Sequence, residues 1–309
     1  MLRTKACPLL VGLMAALGLV SCVKEVELAA KKQQENEAEI RKYIANNNLG
    51  TPIKDTLGLY VFITRANPSG QLPQAGDSIV VHQITSTLDG RKIDSTSVLN
   101  NKPFKYWYNV RGLDNRLLDN RALAGFAFGL RYIREGEKAI VLVPSNLAFG
   151  SLGDESYFKP YSPLRFDLNL VNIITEEERI AQYLTANQLT GFSSTPSGLR
   201  IKVTTAVPNS IKAESGKRAF VKYTGKFLNG QQFDSNANSS ITFNVVVKSG
   251  QVVPGFDEAL TLIGKGEKAT IIFPSRLGYG ANGSRAQNGQ YTILPYQPLV
   301  FDIEVTDVQ

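Results

Sequence analysis

The sequence predicts an α+β protein made of two tandem copies of one unit. Each copy reads as a mostly antiparallel sheet wrapped on a short helix and preceded by an N-terminal helix. Three observations carry this. Phe220 to Phe227 alternates, with Val221, Tyr223 and Gly225 on one side and Phe220, Lys222 and Thr224 on the other, the period of a half-buried strand. Phe256, Leu260 and Ile263 fall at helical spacing, and the run stops at Gly264. The segment Ile40–Leu49 recurs about 140 positions later as Ile180–Leu189, and further matches follow in the same order.

In chain order, a helix is expected from Val23 to Asn48. Ile40, Tyr43 and Ile44 form a one-sided apolar patch at i, i+3 and i+4. So short a patch suits docking on the helix's own unit, and leaves residues 23 to about 32 as a tether. The repeat continues with Gly58-Leu59 against Gly198-Leu199, Val81 against Val221, and Asp94-Ser95 against Asp234-Ser235. The offset then shortens to about 130, with Gly136-Glu-Lys-Ala against Gly266-Glu-Lys-Ala and Pro144-Ser145 against Pro274-Ser275. The second helix opens at Glu176-Glu-Glu-Arg and repeats the patch as Ile180, Tyr183 and Leu184. Beyond it, Ser240–Val247, Ala269–Phe273 and Leu299–Val305 read as strands rich in β-branched and aromatic residues. The helix at Phe256–Ile263 is too short to stand alone and must bury its apolar side against the sheet. The expected division is 1–21 as a leader, 22–50 as tether and helix, 51–175 as the first sheet domain, and 176–309 as the second leading helix with its domain. Each copy is long enough for its own core.

The stretch from Ala219 to Val305 holds the most specific motifs: Val221-Lys-Tyr-Thr-Gly, Asn229-Gly-Gln-Gln-Phe-Asp-Ser, Val252-Val-Pro-Gly-Phe-Asp, Gly266-Glu-Lys-Ala, Leu277-Gly-Tyr-Gly and Pro298-Leu-Val-Phe-Asp. The chain's single histidine, His82, lies outside this stretch and reads as a surface or satisfied residue on the outer side of its strand. No Cys–His or His–Glu cluster offers metal ligands, and no Ser or Cys has an evident base partner. What remains is an aromatic set with one carboxylate. In this order the motifs resemble the FKBP-type peptidyl-prolyl isomerases, and the fold class becomes two tandem FKBP-like domains. The resemblance implies catalysis of rotation about the X-Pro bond, which requires neither a nucleophile nor a cofactor.

The resemblance also assigns residues. Asp234 matches the pocket carboxylate, Tyr279 a tyrosine whose hydroxyl bonds the substrate backbone, and Phe256 the pocket floor, where the family usually has Trp. Tyr223, Phe233, Phe243 and Phe301 match aromatic walls. Val252 and Val253 match an aliphatic pair, the Val253 N–H holding a substrate carbonyl. Ile293 matches an apolar residue of the loop flanking the site. In the first copy Gln83, Ile93 and Phe149 stand where the second has Tyr223, Phe233 and Tyr279, and Ala122-Leu123 replaces the valine pair. Asp94, Phe104, Phe126 and Phe166 are retained, and a polar insertion lies within Tyr106–Arg121. The fold reads as kept and the pocket as eroded.

At the N-terminus, Arg3 and Lys5 precede an apolar run from Leu9 to Val20, and Leu19-Val20-Ser21-Cys22 follows. A basic start with a short apolar run reads as a secretory signal, and the last four residues fit a bacterial lipoprotein box. Cys22 is then the lipidation site and the anchor to a membrane. Removing Arg3 and Lys5 leaves a modest basic excess from the formal +7, without the clustered stripe a nucleic acid would require. The expectation is an envelope or periplasmic lipoprotein that isomerises proline-containing segments of exported proteins. The alternative is a non-catalytic chaperone or assembly subunit that binds such segments.

Overall fold

The computed structural model describes residues 9–54, 56–96, 102–108, 122–154 and 156–309, with side chains from residue 26 onward except those of 122 and 123. The start of the leader, the Cys22 side chain and most of the Tyr106–Arg121 insertion therefore lie outside the described residues. The chain divides into two compact units, the first drawn from residues up to Asn172 and the second centred on Ile173–Gln309.

The first unit opens with α1 (Leu9–Asn46), followed by β1 (Ile53–Lys54), β2 (Tyr60–Arg65), β3 (Ser78–Thr87), β4 (Lys92–Ser95) and β5 (Phe104–Trp107). Helix α2 (Ala122–Leu130), β6 (Lys138–Val143) and β7 (Leu164–Ile174) complete it. The second unit has α3 (Glu176–Ala186), β8 (Ser193–Ser194), β9 (Arg200–Thr205), β10 (Arg218–Phe227), β11 (Gln232–Ser235) and β12 (Phe243–Val246). It ends with α4 (Pro254–Leu260), β13 (Lys268–Phe273), β14 (Ser284–Arg285), β15 (Tyr291–Ile293) and β16 (Leu299–Val308). The sheet orders are β1-β2-β6-β7-β3-β4 and β11-β10-β16-β13-β9-β8, with β5 on β3 and β12 on β10. The second path is the first read from its other end, so the sequence repeat is a topological repeat. Two tandem FKBP-like α+β domains are the fold.

Several elements depart from the sequence reading. The helix expected over Phe256–Ile263 is α4, which starts at Pro254 and ends at Leu260. Proline is pre-set for the first helical position, and its missing N–H costs nothing there. At the other end Thr261 turns its hydroxyl onto the Glu258 carbonyl at 2.7 Å. The strand expected over Ser240–Val247 pairs only from Phe243 to Val246. Strand β9 and the β14–β15 hairpin were not expected at all. Helix α1, expected from Val23 to Asn48, runs from Leu9 to Asn46, so it begins earlier than expected and residues 23–32 are helical as that expectation had them. His82 is buried, contrary to an outward-facing reading, and its ring Nδ1 lies 3.2 Å from the Thr96 hydroxyl.

Both sheets are covered on two faces, which explains why β13 reads as a continuous apolar run. Ile271 and Phe273 face the main core with Phe256, Leu260 and Phe301. Ile272 and Val300 face the other way and receive Ile180 of α3, with Tyr183 and Leu184 beside it. In the first unit Ile40 of α1 packs on Tyr60, Phe62, Ile140 and Leu142 in the same manner. The leading helices are thus a layer of each unit. Helix α3 is started by a capping box: Thr175 accepts from the Glu178 N–H, and Glu178 accepts from the Thr175 N–H.

Two polar devices recur. Glu267 accepts from the N–H groups of Gly264 (2.7 Å) and Val207 (3.3 Å); Glu137 accepts from those of Arg134 (2.8 Å) and Asn67 (3.0 Å). These bonds, Gly264's first, hold the Glu267 carboxyl below its ordinary range. The glycine before each glutamate has φ near +80°, +83° at Gly266 and +80° at Gly136, so the repeated Gly-Glu-Lys-Ala motif is a turn that satisfies its own loop. Each leading helix also caps the short 3₁₀ turn after the sixth or thirteenth strand. Ser275 donates its N–H and hydroxyl to Glu176 at 2.7 and 2.6 Å, and the Ser145 N–H donates to Asn36 Oδ1 at 2.7 Å. Among the described residues no helix is long and apolar enough to cross a membrane.

Candidate functional site

A cavity of about 440 Å³ opens in the second unit. It is lined by Tyr223, Phe233, Asp234, Phe243, Gly250, Gln251, Val252, Val253, Phe256, Tyr279 and Phe301. That volume is in the range of small-ligand sites.

The elements converge for identifiable reasons. Strand β10 lies between β11 and β16, with Gly225 opposite Asp234 on one side and Phe301 on the other. Tyr223, two residues away, projects from the same face. Phe243 enters from β12, opposite Val221. Val253 is the N-cap of α4 in extended conformation, so its N–H precedes the helical hydrogen bonds. Phe256, in the first turn of α4, is almost wholly buried beneath the others.

The rings form one edge-to-face network. Phe301 meets Phe256 at 5.2 Å and 80°, and Phe233 at 5.6 Å and 86°, between ring centroids. Tyr223 meets Phe256 at 5.7 Å and 81° and Phe243 at 5.9 Å and 62°. Such geometries set the positive ring edge on the negative face and add about 0.5–1.5 kcal/mol per pair beyond area burial. The Tyr223 hydroxyl donates to Asp234 Oδ2 at 2.6 Å. Burial, then this bond, pushes the Tyr223 hydroxyl well above its ordinary pKa. Burial, then the charge of Asp234, also raises Tyr279, so both hydroxyls stay protonated donors near neutral pH. Tyr279 and Phe243 stand at the rim, 38% and 39% exposed, and remain reachable from solvent.

Every residue that the motifs single out in the second unit lines this cavity except Ile293. Ile293 sits on β15 with its side chain buried in the main core, 3% exposed, so it supports the site from behind. Gly250 and Gln251 line the cavity without having been singled out. Gln251 accepts the Val246 N–H at 2.8 Å, and Gly250 has φ +78°. The signal that points to them is the Ser-Gly-Gln turn immediately before the valine pair.

The corresponding positions of the first unit are organised differently. Gln83 Nε2 donates to Asp94 Oδ2 at 3.1 Å in place of the tyrosine hydroxyl. Phe126 and Phe166 still pack, at 6.1 Å. Phe149, at the position of Tyr279, stacks on Phe158 at 4.4 Å and 20°. It therefore has no hydroxyl, and one face of its ring is taken up by Phe158. The side chains of Ala122 and Leu123 lie outside the described residues.

The site is an aromatic box with one carboxylate and two protonated hydroxyls, on a sheet wrapped around a short helix. Comparison with known proteins agrees with the family that the motifs resemble. The profile described as FKBP-type peptidyl-prolyl cis-trans isomerase matches residues 70–171 and 209–306, more than half of the chain, and the chain belongs to this family. It is 30% identical over 240 residues to peptidyl-prolyl cis-trans isomerase FKBP9 of Rattus norvegicus, covering 76% of this chain and 35% of that protein. It is 27% identical over 261 residues to FKBP10 of Homo sapiens, covering 84% and 38%. It is 33% identical over 99 residues to FK506-binding protein 2 of Dictyostelium discoideum, covering 32% and 71%. The chain thus spans little more than a third of the length of the first two relatives.

Proposed function

We propose that the second unit catalyses cis–trans isomerisation of X-Pro bonds in polypeptides. The reading is carried by the cavity itself: aromatic walls around an apolar space the size of a proline ring and its neighbours, with hydrogen-bonding groups from Asp234, Tyr223, Tyr279, Gln251 and the Val253 N–H. Rotation about the amide breaks only its partial double bond, against an uncatalysed barrier of about 18–20 kcal/mol. In the twisted state the carbonyl loses resonance and the group becomes less polar, so a dry aromatic site favours it over the planar ground state. Phe256, Phe301 and Phe233 hold the proline ring. Phe243 and Val252 cover it, the Val253 N–H and the Tyr279 hydroxyl grip the flanking backbone, and Asp234 fixes Tyr223. Uncatalysed isomerisation takes tens to hundreds of seconds, long enough to limit folding, so unfolded chains are the natural substrates.

We further infer that the protein works at the cell envelope on exported chains, anchored through Cys22. This rests on Leu19-Val20-Ser21-Cys22 after a basic, apolar leader. Fatty-acid labelling that survives Cys22→Ala, or a wild-type protein that leaves the membrane fraction freely, would overturn the anchor.

The substitutions at Gln83, Ile93 and Phe149 favour a second reading for the first unit, that of a binding module without turnover. Exchange measured by NMR on one proline peptide, with the full chain and with Asp234→Ala, tests the catalytic reading. Acceleration that Asp234→Ala reduces supports it; no acceleration by the wild type refutes it.

A further inference from the structure

Gly225 lies inside a ten-residue strand, yet it is not among the positions of positive φ. The backbone therefore does not require glycine there, and a glycine inside a strand is unfavourable. The reason lies in what surrounds it. A Cβ at Gly225 would meet Phe233 at 2.6 and 2.7 Å and Phe301 at 2.8 Å. Both contacts are with rings that line the cavity. Neither ring is a loose end: Phe233 also packs on Phe227, and Phe301 on Phe256, Tyr223 and Phe273.

The first unit supplies the counterpart. Thr85 pairs with Asp94 as Gly225 pairs with Asp234, and the register shift follows immediately in both, at Thr85/Ser86 and Gly225/Lys226. Thr85 is buried. Phe166 holds the place of Phe301 there, so a side chain at this strand position is compatible with that ring. The residue that changes with it is Ile93, in place of Phe233.

We propose that Gly225 is a positioning residue that admits the Phe233 ring as the end wall of the cavity, and that the pairs Gly225/Phe233 and Thr85/Ile93 are alternatives that set the two units apart. The inference rests on the reading that this cavity turns over prolyl peptides. It names the feature of the site that a side chain at 225 removes: a flat aromatic face at the end of the proline ring.

The test uses the full chain with Gly225→Thr, Phe233→Ile and the double variant, read by thermal melting and by kcat/KM on one proline peptide. Gly225→Thr is expected to lower the melting transition of the second unit by several degrees and to cut kcat/KM about tenfold or more. Adding Phe233→Ile should return the melting temperature toward wild type, since it removes the obstructing ring, while kcat/KM stays low because the wall is gone. A double variant that melts no higher than Gly225→Thr overturns the steric pairing. A double variant that regains both stability and turnover overturns the role of the wall. If the wild type does not turn over the peptide, the isomerase reading fails, and recovery of the melt still decides whether positions 225 and 233 are coupled.

Discussion

In the second unit a tyrosine hydroxyl at 223 reaches Asp234 at 2.6 Å; at the same point of the first, a glutamine amide reaches Asp94 at 3.1 Å. Around these two bonds the scaffolds are alike. The sheets follow one strand order, the leading helices dock by Ile40 and Ile180, and Glu137 and Glu267 each hold two loop N–H groups. Around the site the residues differ: Gln83 for Tyr223, Ile93 for Phe233 and Phe149 for Tyr279 among the rings, with Thr85 for Gly225 and Ala122-Leu123 for Val252-Val253 beside them. The difference teaches that fold and pocket are separable here. Polar devices and core packing recur in both units, while the aromatic box is complete only in the second.

The comparison breaks most readily at the cavity floor. Phe256→Ala is expected to destabilise the second unit by about 3–5 kcal/mol and to abolish most turnover, while Phe126→Ala destabilises the first unit comparably and leaves turnover intact. Melting and exchange measured together separate the two losses.

The scaffold devices should instead respond alike in both units. Glu267→Ala and Glu137→Ala each orphan two backbone N–H groups, at about 1–3 kcal/mol per group. Denaturation of the two variants should give losses of similar size; a loss in one unit alone would mean that the shared motif does different work in each.

At the polar edge of the cavity the units should diverge again. Asp234→Ala removes the partner of Tyr223 and is expected to lower kcat/KM about tenfold, equivalent to about 1.4 kcal/mol. Asp94→Ala should leave kcat/KM unchanged, and equal losses from both would erase the asymmetry. Tyr279→Phe makes the second unit resemble Phe149 in the first at one atom. Loss of one neutral hydrogen bond, about 0.5–1.5 kcal/mol, predicts a several-fold drop in exchange rate without a change in melting.

The smallest effect concerns how a leading helix docks. Burial pushes the Glu37 carboxyl up, but hydrogen bonds from Lys54, Tyr60 and Arg41 outweigh it and bring the group down to about 2. A lowered folded pKa contributes stability above the ordinary value near 4.5 and loses it as pH falls toward about 2. Glu37 is partly exposed, so the contribution is about 0.2–1 kcal/mol. Melts of wild type and Glu37→Gln should differ above pH 4.5 and draw together as pH falls from there toward about 2.

The repeat, the strand alternation of Phe220–Phe227 and the order of motifs around Tyr223, Asp234, Val252-Val253, Phe256, Tyr279 and Phe301 are all legible in the chain, because period and order are local properties. They sufficed to define two tandem FKBP-like units and most of the cavity wall. Other features depend on groups far apart in sequence. Ile293 reads as a residue of a loop beside the site, but the β14–β15 hairpin turns it into the core. Strand β13 carries apolar residues on both faces because α3 covers the face that α4 does not. His82 is buried although its strand alternation suggested an outward side chain. The need for glycine at 225 comes from rings at 233 and 301, brought together only by the pairing of β10 with β11 and β16. The sequence by itself determined which residues alternate, repeat and turn; tertiary structure decided which of them share a volume, since steric exclusion acts between atoms that the chain separates and the fold brings together.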